Sequence, residues 1–210
     1  MKLNSKRTIL VGLAFLSICA FWQMYDSIVP LILTKTFHMN ETFSGAIMAA
    51  DNILALFLLP FFGSVSDKSH TKIGKRMPFI LFGTGCAIIL MNILPLLDNS
   101  YAAQPSGFKT ASFVIVLGLL LVAMGTYRAP AVALMPDVTP KPLRSRANAI
   151  INLMGAVGGI LYLGVAAVLY PNSKTAGVEH VNYQPLFIVV SAIMFLAIAV
   201  LFLTIKEPKL

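Results

Sequence analysis

Six unbroken apolar stretches divide the chain, at roughly residues 8–33, 43–63, 77–97, 111–135, 147–170 and 185–205. They lack the two-residue alternation of a strand with one wetted face, and the ten-residue alternating units of a membrane barrel are missing too. The shortest stretches have 21 residues, which at ~1.5 Å per residue cover roughly 31 Å, the thickness of a hydrocarbon core. The pattern therefore predicts an all-α membrane protein, residues 1–210 forming one bundle of six transmembrane helices. The longest connections, 98–110 and 171–184, are polar and contain Asn, Gly and Pro.

Composition agrees, with 58% hydrophobic and 11% charged residues against about 25% charged in soluble domains. A net charge of +8 would suggest a nucleic-acid partner for a soluble protein, so its sidedness matters. Twelve of the 16 basic residues share the side of the two termini: Lys2, Lys6, Arg7, Lys68, Lys72, Lys75, Arg76, Lys141, Arg144, Arg146, Lys206 and Lys209. Lys35, Lys109 and Lys174 lie on the other side, and Arg128 falls inside the fourth stretch. The positive-inside rule then puts both termini in the cytoplasm and accounts for the basicity without nucleic acid. The length of the first stretch, with Trp22, Gln23, Tyr25 and Asp26 inside it, argues against a cleaved secretory signal. His38, His70 and His180 sit in connections, and Cys19 and Cys86 in apolar runs, without ligand spacing. Neither a metal site nor a catalytic set is expected, so the chain does not read as an enzyme.

Polar residues inside the apolar stretches carry the functional information, because a charge at membrane depth costs about 2.5–3.5 kcal/mol on insertion scales. Three qualify: Asp26, Asp51 and Arg128. Counting rise from the helix ends puts both carboxylates at a similar depth in the outer half, and Arg128 near the level of Asn152 in the inner half. A direct Asp26 to Arg128 pair is therefore not expected. Steps of three and four residues gather Trp22, Gln23 and Asp26 on one face, Asp51 and Asn52 on a second, and Tyr127 and Arg128 on a third. Aromatic platforms beside hydrogen-bonding groups suit a small-molecule site, with Trp22 and Tyr127 as stacking surfaces and Gln23, Arg128, Asn148 and Asn152 as polar contacts. Asp26, Asp51 and Asn52 are the candidates for ion coupling. Gly155 and Gly159 form a G-x-x-x-G step, with Gly158 alongside, that lets a neighbouring helix approach. The six helices divide into two triplets, readable as inverted repeats, with Asp26 near Pro30 in one and Arg128 near Pro130 in the other.

Two loop regions carry a family pattern. From Gly63 the chain reads G-S-V-S-D-K-S-H-T-K-I-G-K-R-M-P-F-I, which resembles the G-x-x-x-D-R-x-G-R-R loop of the major facilitator superfamily. Its longer spacing between Asp67 and Gly74, followed by Pro78, is similar to that of the sucrose/proton symporter-like (solute carrier family 45) and glycoside-pentoside-hexuronide cation symporter groups. From Tyr127 the chain reads Y-R-A-P-A-V-A-L-M-P-D-V-T-P-K-P-L-R-S-R, again similar to the sucrose-symporter-like group. It departs from the plant sucrose branch in having Val132 where that branch has a basic residue.

The resemblance implies one half of a major facilitator fold, built of two inverted three-helix repeats. It implies alternating access against a second six-helix half, which could be a separate chain, a missing C-terminal half or a homodimer copy. It implies a sugar or glycoside substrate, proton or sodium as coupling ion and no other cofactor, and a multi-pass place in the plasma membrane lipid bilayer. It also assigns Gly63, Asp67, Lys68, Gly74, Lys75 and Arg76 to a cytoplasmic charge relay that latches the two halves. The alternative is a non-transporting half that serves only as an assembly or regulatory partner.

Overall fold

The structure is a computed structural model and describes residues 4–205, apart from the side chains of Asn172 and Lys174. Lys2, Lys206 and Lys209 of the charge count, and the Lys174 side chain, lie outside the described residues. The elements are α1 (Ser5–Leu31), continued by a π-helical turn (Ile32–Thr36), α2 (Glu41–Lys68), α3 (Met77–Ala103), α4 (Gly107–Val138), a 3-10 turn (Lys141–Leu143), α5 (Arg144–Leu169), the one-turn α6 (Asn172–Thr175) and α7 (Gln184–Thr204). No strand occurs among the described residues. Six of the helices are long and apolar enough to cross a membrane, as the apolar pattern predicts.

Most helices run past the predicted apolar limits. The backbone ladder continues through polar residues until a cap satisfies its free groups: Asn4 Oδ1 accepts the Arg7 N–H at 3.2 Å, and Asn40 Oδ1 accepts that of Thr42 at 3.0 Å. Two corrections follow. Gly63, Asp67 and Lys68 stand on α2 rather than in a loop, and Asp98, read as the start of a connection, lies inside α3 and is fully buried.

Contacts between helices support the triplet reading. α1 packs mainly on α5 and α7, α4 on α2 and α3, and α3 on α7. Exchanging α1, α2, α3 for α4, α5, α7 reproduces this set of pairs, as two related triplets require. α1 and α4 supply much of the core, including Phe21, Met24, Tyr25, Phe113 and Tyr127, all nearly or fully buried. Close approach of α1 to α5 depends on Gly155 and Gly158: a Cβ on Gly155 would sit 2.9 Å from Cys19 Sγ, and one on Gly158 would sit 2.8 Å from the Leu16 carbonyl carbon. Gly159 meets nothing nearer than Gln23 Oε1 at 3.8 Å. The packing step is therefore Gly155 with Gly158, a spacing of three, because Gly159 turns away from the α1 backbone.

Candidate functional site

Two of the three intramembrane charges, Asp51 and Arg128, meet at Trp22. On α4 the Arg128 guanidinium lies over the Trp22 ring, 5.5 Å from its centroid, in a cation–π contact. Trp22, Asp51 and Arg128 line one narrow crevice between α1, α2 and α4, closed by Leu54, Leu58 and Gly125. The separation into an outer acidic and an inner basic group is thus bridged by Trp22, which the depth count could not foresee. Asp26 and Asp51 are within electrostatic reach of each other and of the buried Tyr25 hydroxyl, in keeping with their similar depth. Asp51 Oδ1 accepts a hydrogen bond from the Asn52 amide at 2.9 Å. Among the described residues no carboxylate pairs with Arg128, so the guanidinium keeps its hydrogen-bonding capacity. The Trp22 indole N–H and the Tyr25 hydroxyl are buried without partners among the described residues. Gln23, Asp26 and Asn52 are exposed beside the crevice, and Asn148 and Asn152 are exposed on α5.

Tyr127 departs from the expected stacking role. It is fully buried, its hydroxyl 2.5 Å from Ser17 Oγ and donating to the Ala14 carbonyl at 2.9 Å. One residue from Arg128 on a helix is a turn of about 100°, which carries Tyr127 into the α1–α4 contact. Tyr127→Phe is expected to lower stability by about 1 kcal/mol and to leave ligand binding at the crevice unchanged. Thermal unfolding in detergent checks the first, and a titration monitoring Trp22 fluorescence checks the second.

A second polar cluster lies at the end that carries the termini. Arg76 is buried, donating from Nε to Asp137 Oδ2 at 3.0 Å, from Nη1 to Ser66 Oγ at 2.6 Å and the Gly63 carbonyl at 3.2 Å, and from Nη2 to Asp67. Lys75 Nζ adds an ion pair to Asp137 at 3.2 Å. Gly74, at φ +117°, takes a backbone conformation that glycine tolerates, and its carbonyl accepts the Thr71 hydroxyl at 2.5 Å. The tie therefore joins α2 to α4 within this bundle. Lys68 is exposed and, among the described residues, takes no part in the tie. Asp137 completes the tie and was absent from the expected relay. Its one signal in the sequence is its place in the second motif, A-L-M-P-D.

The chain is 34% identical over 158 residues to the sucrose transport protein SUC3 of Arabidopsis thaliana, covering 70% of this chain and 26% of that protein. It is 34% identical over 154 residues to the sucrose transport protein SUT3 of Oryza sativa subsp. indica, covering 67% and 30%. Similarity to the human solute carrier family 45 member 3 is 25% over 186 residues, covering 87% and 34%. The chain thus spans about a quarter to a third of the length of these relatives. Residues 11–210 match the Major Facilitator Superfamily. With six helices able to span a membrane, the chain is an integral multi-pass membrane protein, and it belongs to the Major Facilitator Superfamily.

Proposed function

We propose that this chain forms one six-helix half of a cation-coupled symporter that moves a sugar or glycoside by alternating access with a second six-helix half. One observation carries the reading: α1, α2 and α5 leave Gln23, Asp26, Asn52 and Asn152 exposed at membrane depth, and the Arg128 guanidinium lies over the Trp22 ring. Lipid cannot satisfy such groups, whereas a facing half that encloses water and substrate can. Arg128 and the amides of Gln23, Asn148 and Asn152 then hydrogen-bond the substrate hydroxyls while the Trp22 ring packs on an apolar sugar face. Asp26 or Asp51, with Asn52, takes up the proton or sodium ion. The plant relatives are sucrose transport proteins, which supports a sugar as cargo. The 12-to-3 sorting of basic residues supports cytoplasmic termini, in the plasma membrane. The second half is a separate chain, a C-terminal continuation or another copy of this one.

The test uses a complete transporter containing this half, reconstituted in vesicles. Arg128→Lys should weaken sugar binding about tenfold by losing the planar fork, with little change in unfolding temperature. Asp26→Asn or Asp51→Asn should abolish accumulation against a gradient while downhill exchange continues. If neither carboxylate variant loses uphill accumulation, coupled symport through this site is wrong.

A further inference from the structure

Asp98, near the end of α3 opposite the termini, belongs to neither the crevice nor the Arg76 tie. It is 0% exposed, and neither carboxylate oxygen has a hydrogen-bond partner among the described residues. An ionised carboxylate in that position is costly unless a proton or a cation neutralises it. The nearest cationic candidate is His180, from the connection before α7, whose Nε2 lies 3.9 Å from Asp98 Oδ2. The Thr36 side chain, on the π-helical end of α1, also acts on Asp98, and Asp98 in turn acts on the Tyr183 phenol. Lys35, His38 and Glu179 face the hollow beside His180 from its exposed side.

The hydrogen bonds fix which nitrogen of the His180 imidazole donates. Asn182 Oδ1 accepts the Gln184 backbone N–H at 2.9 Å, so it is an acceptor, and it accepts the Asn99 amide at 2.9 Å. Asn99 Oδ1 is thereby left to accept from His180 Nε2 at 2.8 Å. Nε2 therefore carries a hydrogen, and Nδ1 lies 3.3 Å from the Thr36 hydroxyl. That hydroxyl can donate to the neutral ring or accept from the charged one.

We propose that Asp98 and His180 form a proton site whose proton clasps the connection at residues 170–183 to the ends of α1 and α3. With one proton the pair is neutral as a whole, either as carboxyl and imidazole or as carboxylate and imidazolium. A second proton leaves its excess charge on His180, which is 25% exposed and reaches water. Loss of the last proton leaves a net negative charge at a position closed to water. Proton loss is thus what unfastens the clasp: it holds at acid pH and loosens as pH rises. The site is separate from Asp26 and Asp51 and does not depend on the symport reading.

The test is a spin label at Val178, exposed on the clasped connection, in a chain carrying Val178→Cys, Cys19→Ala and Cys86→Ala in nanodiscs. Both membrane faces then meet the buffer, so neither orientation nor transport enters. Between about pH 5 and about pH 9 label motion should quicken several-fold in a single titration. Asp98→Asn, which needs no proton, should remove the response and stay slow throughout, and His180→Gln should shift its midpoint. A flat wild-type titration, a response that survives Asp98→Asn, or a midpoint unmoved by His180→Gln would each overturn the proposal. The wild-type titration decides even where a variant fails to fold.

Discussion

Arg76→Ala is expected to destabilise the bundle by about 3 kcal/mol, from two buried charge-assisted hydrogen bonds at about 1.5 kcal/mol each. The Arg76 side chain is 5% exposed and bonds to groups on α2 and α4 at once. Without it the Asp67 carboxylate, 56% exposed, returns to water, and Asp137 keeps Lys75 at 3.2 Å. Those two partners therefore add little to the cost, since exposed pairs contribute about 0–1 kcal/mol. The penalty comes from the lost charge-assisted bonds to Ser66 and the Gly63 carbonyl and from the void the guanidinium leaves. Arg76→Lys should restore only part of the loss, because one ammonium cannot reach Nε and both Nη positions together. Unfolding temperatures of the purified chain in detergent, compared with Asp137→Asn as a milder change, provide the measurement. An alanine variant as stable as the parent would show that the tie contributes nothing to holding α2 against α4.

How far these features could be read in the sequence depends on how local their physics is. Membrane spans are legible because twenty apolar residues in a row have one inexpensive fate in a bilayer, and all six appear. Helix ends are less legible because hydropathy stops at the first polar residue, whereas the ladder stops at a cap. For that reason Asp67 and Asp98 read as loop residues and stand on helices. Periodicity places a residue on a face without saying what that face meets. Trp22 and Arg128 shared the expected site and do touch, while Tyr127, one position away, serves the core. The Asp137 contact joins residues 61 positions apart, and the Asp98–His180 approach joins an apparent loop residue to a histidine with no local partner. Neither has a signature in local spacing.

The α1–α5 interface gives the sharpest contrast between neighbouring residues. Periodicity favoured Gly155 and Gly159 as the approach surface, whereas the backbone of α1 runs against Gly155 and Gly158. A methyl group on Gly158 would stand inside the Leu16 carbonyl, 2.8 Å from its carbon, and the obstruction is backbone that no rotamer change can clear. α1 and α5 would have to separate along the most extensive helix pair in the bundle, breaking contacts that supply membrane helix association where no hydrophobic driving force acts. Overpacking ordinarily costs about 1–3 kcal/mol, and with backbone as the obstacle Gly158→Ala should reach about 3 kcal/mol or more. Gly159→Ala, with its new Cβ meeting only Gln23 Oε1 at 3.8 Å, should stay within about 0.5 kcal/mol of the parent. The two variants differ by one position and add the same methyl, so helix propensity, composition and hydropathy cancel between them. Unfolding temperatures and the folded fraction recovered by size-exclusion chromatography should separate the pair widely. Equal behaviour, or greater damage at Gly159, would mean that α5 presents to α1 a face other than that of Gly155 and Gly158.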